Sequence, residues 1–343
     1  MKAAVVQPLP GIGDMIWHLP HIRAIAAHVG EPVTLLAKPR SAADQIFGAE
    51  TTVRDVMWLD RNPENRRGEH DGGGGFLRVA RALRARQFAA VYLLHHSRTI
   101  AAQLMAAGIP ARFGYGVGTQ RLFLNRRPFL TPAEARHHPF EQATAWLAAA
   151  GIPMDQAEPV LPAAASARDA VRARLGAGGA ALVTIGIGSS EPYKQWGAVR
   201  FAALANGLMT MGFQHLVLVG GNAERALAEE IRALVNPAIS LAIGWNLGDI
   251  AALFAESLFY VGNDTGVMNM AAAVGIPAYC LFGATPPFFH SSRIVTVTPP
   301  GGVDRAEGMA RITPDAVLRA IAAGVITAPD AGRSTPPPAA GPH

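Results

Sequence analysis

Short apolar runs alternate with amphipathic stretches along most of the chain. The predicted β-strands are Ala3–Val6, Val33–Ala37, Val53–Leu59, Ala90–Leu94, Ala181–Ile187, His215–Val219, Ser240–Ile243, Leu258–Val261, Ala278–Phe282 and Ile294–Val297. Helical patterns lie between most of them, for example at Phe76–Arg86, Phe201–Met211, Arg225–Leu234 and Val267–Val274. Strands that alternate with helices predict parallel sheets joined by crossover helices, which is an α/β fold.

The alternation is interrupted once, near residues 151–166, where Gly151, Pro153, Pro159 and Pro162 follow a helical pattern. A chain of 343 residues is long enough for two domains of roughly 150 residues each. We therefore expect two Rossmann-like, doubly wound domains, 1–160 and 161–327, that face each other across a cleft. In such folds ligands bind at the carboxyl ends of the strands.

Two segments are predicted to lack regular structure. Arg61–Gly75 is polar and ends in consecutive glycines, which predicts a flexible surface loop. The last stretch, 328–343, is rich in proline, glycine and alanine without a period, which predicts a disordered tail.

The composition narrows the class of partner. The net charge is +5 and the pI about 9.8, which favours acidic partners such as phosphates, nucleic acid or anionic lipid. No RNA-recognition, helix-turn-helix or zinc-finger pattern is present, so an acidic small-molecule donor and an acidic acceptor fit better than a polynucleotide. The single cysteine, Cys280, lies in an apolar run, which predicts a buried residue rather than a disulfide or a metal ligand.

The expected location is cytoplasmic. The apolar stretch at the N-terminus is short and broken, unlike a signal peptide. No apolar run approaches the roughly 18 residues that a membrane-spanning helix needs. Peripheral contact with the inner face of a membrane stays open.

The first segment with candidate chemistry is Gly11–Pro20, which follows the first strand and opens a helix. Two glycines allow a tight turn and close approach to a ligand. Asp14 is placed at the helix N-terminus, facing the cleft, either as a functional carboxylate or as a simple helix cap. The third glycine of a dinucleotide fingerprint is missing.

The first strand-to-helix connection of the second domain runs from Gly186 to Trp196. Ser189 and Ser190 provide hydroxyl and backbone donors that suit phosphate oxygens, and Lys194 adds a positive charge. Alternatively, Lys194 is an ordinary solvated surface lysine.

The segment Gly262–Ala273 joins another strand to a helix, and it contains Asp264, Thr265, Gly266 and Val267. Backbone N–H groups at the start of a helix form an anion site, although a plain helix cap is the alternative. The loop Phe282–Pro287, with Thr285, is expected to line the same crevice.

Glu224 follows the strand His215–Val219. Its carboxylate is placed either to accept hydrogen bonds from ribose hydroxyls or to favour the first turn of the next helix. The spacing does not decide between them.

These segments in this order resemble the ADP-heptose:lipopolysaccharide heptosyltransferase family, glycosyltransferase family nine. The resemblance covers residues 1–325 and rests on G-x-G-D-x-x-x-x-x-P, a serine-rich turn with K-x-W, D-T-G-x-x-x-x-A-A-A and F-G-x-T-x-P. It implies the GT-B fold, inversion at the anomeric carbon and no catalytic metal or other cofactor. The donor is then a nucleotide-diphospho-sugar, ADP-heptose, and the acceptor is an anionic glycolipid or glycan of the lipopolysaccharide core.

By resemblance, Asp14 matches the family's general base and Lys194 the lysine that contacts the donor phosphates. The implied donor-binding residues are Ser189, Ser190, Lys194, Glu224, Asp264, Thr265, Gly266, Val267, Asn269 and Thr285. The chemistry agrees, because inversion needs a base on the acceptor and positive charge at the leaving diphosphate. Since a carboxylate is a weak base toward an alcohol, proton transfer must be late.

One departure concerns Asn269, where the family often has histidine. Asparagine hydrogen-bonds but carries no charge, which leaves the donor sugar open. The alternatives are a glycosyltransferase with another donor or acceptor, a nicotinamide-dependent oxidoreductase and a non-catalytic sugar-binding relative. The missing third glycine argues against the oxidoreductase, and the presence of Asp14 and Lys194 argues against the non-catalytic relative.

Overall fold

The computed structural model describes residues 2–48, 50–63, 66–176, 182–235, 239–288 and 290–327, and the predicted tail lies outside them. The strands are β1 Ala3–Gln7, β2 Val33–Ala37, β3 Val53–Trp58, β4 Ala90–Leu93, β5 Ala111–Gly114, β6 Leu182–Gly186, β7 His215–Gly220, β8 Ser240–Ile243, β9 Ser257–Asn263, β10 Ala278–Leu281 and β11 Ile294–Val297. The helices are α1 Ile12–Val29, α2 Ala43–Ile46, α3 Gly72–Arg86, α4 Arg98–Ala106, α5 Pro139–Ala149, α6 Ala165–Leu175, α7 Ala198–Thr210, α8 Arg225–Leu234, α9 Leu247–Ala255, α10 Gly266–Val274, α11 Gly308–Arg311 and α12 Pro314–Thr327.

The strands form two sheets in which neighbouring strands run parallel. The first has the order β3-β2-β1-β4-β5 and the second the order β11-β10-β9-β6-β7-β8. Read from β8, the second sheet repeats the order of the first with one strand added. The strand order reverses between β1 and β4 and between β6 and β9, which are the points where such sheets bind ligands. The predicted α/β class with two doubly wound domains is confirmed.

Both sheets are buried on both faces, which explains why their central strands are continuous apolar runs. In the first sheet, one face packs beneath α3 and α4. The other face packs against α1, and this apolar cluster continues without interruption into the second half. Thus α3 and α4 form the outer layer of the first domain, on the face opposite α1.

Two local predictions were wrong. β5 was missed because it is short and its central residues include Arg112, whose guanidinium donates to the backbone oxygens of Ile109 and Phe123. The predicted loop Arg61–Gly75 was too long, because α3 already begins at Gly72. A Cβ on Gly75 would lie 2.2 Å from the His70 carbonyl carbon, so this glycine allows the helix start to pack on the preceding turn.

The segment between α5 and α6 crosses from one sheet to the other. The Leu161 amide donates to the Ala273 oxygen at 2.8 Å, and Arg168 and Arg172 both pair with Glu256. α6 therefore packs with the second half. A domain boundary near residue 160 is consistent with this packing and remains our proposal.

Candidate active site

A cleft of about 540 Å³ lies between the carboxyl edges of the two sheets. Its walls come from the loop after β1 and the start of α1, from the loops after β2, β6, β7 and β9, and from the start of α9. The predicted site residues that line it are Asp14, Ser189, Ser190, Lys194, Glu224, Asp264, Thr265, Gly266, Val267 and Asn269. Of the predicted set, only Thr285 is not part of its wall.

Asp14 lies in the first turn of α1 and faces the cleft. Its Oδ2 accepts a hydrogen bond from the Gly11 amide at 2.9 Å, so the carboxylate does cap the helix. Oδ1 makes no hydrogen bond within the described ranges. Burial raises the pKa of the Asp14 carboxyl, while the Gly11 amide and the Arg40 guanidinium oppose that rise. One oxygen is thus held while the other is left for a ligand.

The backbone beneath Asp14 is fixed by two buried side chains. The Asp14 carbonyl oxygen lies 2.7 Å from His18 Nδ1 and accepts from Gln7 Nε2 at 3.3 Å. Burial lowers the pKa of His18 to about 4, so the ring is neutral at pH 7 and donates through Nδ1. These contacts hold the first turn of α1 in place against β1.

On the opposite wall, Lys194 and Asp264 form an ion pair. The distance from Lys194 Nζ to Asp264 Oδ2 is 2.7 Å, and both side chains are largely buried. Thr285 Oγ1 donates to the same oxygen at 3.0 Å, so Thr285 supports the site from behind. The lysine is therefore an oriented charge rather than a freely solvated one.

The N-termini of α1 and α10 meet at the cleft through two glycines. A Cβ on Gly266 would lie 2.7 Å from the Gly13 nitrogen and 2.8 Å from Ile12 Cβ. Thr265 is the N-cap residue of α10, but its hydroxyl makes no capping hydrogen bond. Because a helix N-terminus carries partial positive charge and exposed N–H groups, two of them together favour an anion.

Asn269 connects the two halves of the molecule. Its Oδ1 accepts from Trp17 Nε1 at 3.1 Å, and its Nδ2 donates to the Thr265 oxygen at 3.1 Å. Both ends of the amide are thus used inside the protein.

Glu224 and Ser189 have local partners as well. Glu224 Oε2 accepts from the Gly221 amide at 2.8 Å, as a residue of the first turn does. Ser189 donates to the Glu191 oxygen, whereas Ser190 is exposed in the cleft.

Several residues of the cleft wall were not predicted from the sequence: Trp17, Arg40, Trp245, Leu247 and Ile250. Arg40 follows β2 by three residues, so the rule that carboxyl-end loops face the ligand had pointed to its position. Arg40 is exposed and makes no ion pair with a described carboxylate. The apolar residues have no local pattern that distinguishes them from core positions.

No group of three or more His, Cys, Asp or Glu side chains that is suited to a metal ion occurs among the residues that the structure describes. Within the same ranges, every helix is too short or too polar to cross a bilayer.

The family model of glycosyltransferase family 9 (heptosyltransferase) matches residues 76–296, more than half of the chain. The chain belongs to glycosyltransferase family 9. The enzyme class predicted from the sequence, glycosyltransferase, is that of its family. The match includes Lys194, Glu224 and Asp264 but begins after Asp14.

Individual relatives agree with this family. A stretch of 103 residues is 35% identical to lipooligosaccharide heptosyltransferase 2 of Haemophilus influenzae, and it covers 28% of this chain and 29% of that protein. Thus the chain matches less than a third of the length of this curated relative.

Solved structures extend the similarity in fold to almost the whole chain. A family 9 glycosyltransferase from Veillonella parvula superimposes with a TM-score of 0.78 at 19% identity, over 95% of this chain and 98% of that one. The ADP-heptose lipopolysaccharide heptosyltransferase II of Escherichia coli gives 0.74 at 21% identity, over 95% and 99%.

Proposed function

We propose that the protein transfers a heptose from ADP-heptose to an anionic acceptor of the lipopolysaccharide-core type in the cytoplasm. The observation that carries this proposal is the convergence of Asp14, Lys194 and two helix N-termini on one cleft. Family membership supports glycosyl transfer, and the names of the relatives supply the donor and acceptor.

Asp14 acts as the general base from the first domain. Its free oxygen accepts the proton of an acceptor hydroxyl while the acceptor oxygen forms its bond to the anomeric carbon. The bond from that carbon to the diphosphate breaks on the opposite face, so the configuration inverts. Burial favours this role, because it raises the pKa of Asp14 and makes the carboxylate a stronger base.

The leaving ADP is stabilised by fixed positive charge. Lys194 and the N-termini of α1 and α10 face the position of the diphosphate, so the developing charge is met without reorganisation of the site. Glu224 lines the same cleft as the apolar side chains of Trp245 and Ile250. We assign the carboxylate to the ribose hydroxyls and the apolar surface to the base. Charge stabilisation by these groups takes the place of a metal ion.

The direct test combines purified protein with ADP-heptose and a lipopolysaccharide core that lacks its outer heptose. Mass spectrometry of the acceptor should show the addition of one heptose, and product anomers resolved by NMR should show inversion. Turnover of a different nucleotide sugar in place of ADP-heptose would assign another donor to the same fold. Binding of every donor without turnover would favour a non-catalytic relative.

Metal dependence is tested separately with a chelator. We expect full turnover in saturating EDTA, because Lys194 and the helix N-termini supply the positive charge. Loss of turnover that Mg²⁺ or Mn²⁺ restores would contradict the metal-free mechanism without changing the donor or the acceptor.

A further inference from the structure

The outer layer of the first domain carries arginine and no carboxylate. Residues 72–133 contain no aspartate, glutamate or lysine, and they contain the arginines 78, 81, 84, 86, 98, 112, 121, 126 and 127. This stretch contains α3, α4 and the segment after β5, which share one side of the first sheet. The chain as a whole is far more balanced, with 30 basic and 25 acidic residues.

Most of these arginines are available to a partner. Arg86 pairs with Asp55, and Arg112 is bound to backbone oxygens. The other arginines of the stretch are exposed and make no ion pair with any carboxylate that the structure describes. The two acids that flank the stretch in sequence are engaged locally: Asp71 accepts from the amides of Asn62 and Gly68, and Glu134 accepts from the amide and the hydroxyl of Thr131.

Apolar side chains lie among the arginines. A groove of about 450 Å³ runs between α3, α4 and the segment after β5, where Phe76, Leu122 and Phe123 lie beside Arg98. Leu122 is 71% exposed and Leu77 is 50% exposed. Exposed leucines flanked by arginines combine the two contributions that hold a protein on a charged interface, namely apolar burial and electrostatic attraction.

The groove opens at the edge of the sheet that also carries Asp14. α4 begins at Arg98, shortly after β4 ends at Leu93, whereas a longer connection leads from β3 to the start of α3 at Gly72. In a parallel sheet all carboxyl ends lie on one edge, so the start of α4 lies on the edge that carries Asp14. A surface that met Phe76 and Arg98 would therefore lie beside the mouth of the cleft.

We propose that this arginine-rich layer docks the protein on an anionic phospholipid bilayer. Charge complementarity favours an anionic bilayer as the partner, because the arginines of this layer supply positive charge without a carboxylate among them. The exposed leucines suit insertion at the level of the headgroups. The proposal does not depend on the donor or on the reaction assigned above.

The test is co-sedimentation of the full chain with vesicles of phosphatidylglycerol and phosphatidylethanolamine in equal parts. We expect the protein to bind these vesicles at about 0.05 M salt and to bind them much less at about 0.5 M salt. It should not bind vesicles of phosphatidylcholine. The double variant Arg98→Glu with Arg121→Glu should weaken binding by about thirtyfold or more, since each arginine near an anionic surface contributes roughly fivefold. Leu122→Ser should reduce the binding that survives at high salt.

The matched control is the double variant Arg232→Glu with Arg319→Glu, which changes the net charge equally on the second domain. We expect it to bind vesicles like the native protein. Equal loss in both double variants, or no binding of the native protein to anionic vesicles, would overturn the proposal. A native dimer that the Arg98 and Arg121 changes dissociate, without vesicle binding, would assign the layer to a second copy of the chain and would also overturn it.

Discussion

The two halves of the molecule share a strand order but carry different chemistry at the same edge of the sheet. In the second half, Lys194, Asp264 and Thr285 satisfy one another, so the positive charge is oriented before any ligand arrives. In the first half, Asp14 keeps one oxygen without a hydrogen bond, and Arg40 makes no ion pair with a described carboxylate. The contrast suggests that one half binds the donor and the other half takes part in the reaction.

The largest expected effect comes from Asp14→Asn. Asparagine still accepts the Gly11 hydrogen bond and preserves the helix cap, but it cannot take a proton. Turnover should fall by about two orders of magnitude or more, with the affinity for ADP unchanged in calorimetry. Asp315→Asn, which alters a first-turn acid of α12, is the control and should leave turnover intact. Near-native turnover of Asp14→Asn would mean that Asp14 only caps α1 and does not act as the general base.

The second-largest effect concerns the half of the molecule that we propose to bind the donor. Lys194→Ala removes a charge-assisted contact worth roughly 1.5–3 kcal/mol, so affinity for ADP should fall by about ten- to a hundredfold. Salt should weaken ADP binding to the native protein more than to the variant. Thr285→Val removes a hydrogen bond to the same carboxylate but no positive charge, so it should reduce the affinity for ADP less. If Asp14→Asn rather than Lys194→Ala abolished ADP binding, the roles of the two halves would be reversed.

A third variant tests the contact between the halves. In Gly266→Ala, the new Cβ would meet the Gly13 nitrogen at 2.7 Å, so the two helix starts must separate. We expect a loss of about 1–3 kcal/mol in the free energy of unfolding, together with weaker ADP binding. Gly73→Ala, which meets no atom within 4 Å in the first turn of α3, should be neutral or stabilising by up to about 1 kcal/mol. Equal melting temperatures for the two variants would mean that the helix starts do not touch in solution.

The smallest effect concerns the pH profile. Protonated Asp14 cannot act as a base, so kcat/KM should fall as the pH drops through its raised pKa. Arg40 lowers that pKa, so Arg40→Ala should move the acid limb of the profile to higher pH. Arg319→Ala, on α12 and outside the cleft wall, is expected to leave the acid limb in place. A limb that does not respond to Arg40→Ala would separate this arginine from Asp14.

The fold was predictable because its signals are local. Several elements were predicted with the bounds that the structure shows, among them the strands Val33–Ala37 and Ser240–Ile243 and the helix Arg225–Leu234. The limits of an apolar run mark both ends of a strand, and the limits of helical periodicity mark both ends of a helix. β5 was not, because an edge strand that contains Arg112 has no continuous apolar run.

The site was predictable only in part. Parallel sheets place all carboxyl-end loops on one edge, so Lys194 and Asp264 were expected to lie near each other. The hydrogen bond between Trp17 and Asn269 joins residues 252 positions apart, and the contact of Gly13 with Gly266 is as distant. No local pattern encodes how two domains meet, so the contacts across the cleft emerged only from the structure.

The meeting of two helix starts also has an energetic consequence. Each carries a partial charge of roughly +0.5, so the two ends repel each other across Gly13 and Gly266. A diphosphate beside the two helix N-termini would attract each of them, so its negative charge would offset their mutual repulsion. If the nucleotide binds there as we propose, its binding and the contact between the two helix starts are thermodynamically linked, and a change that strengthens one strengthens the other by the same free energy.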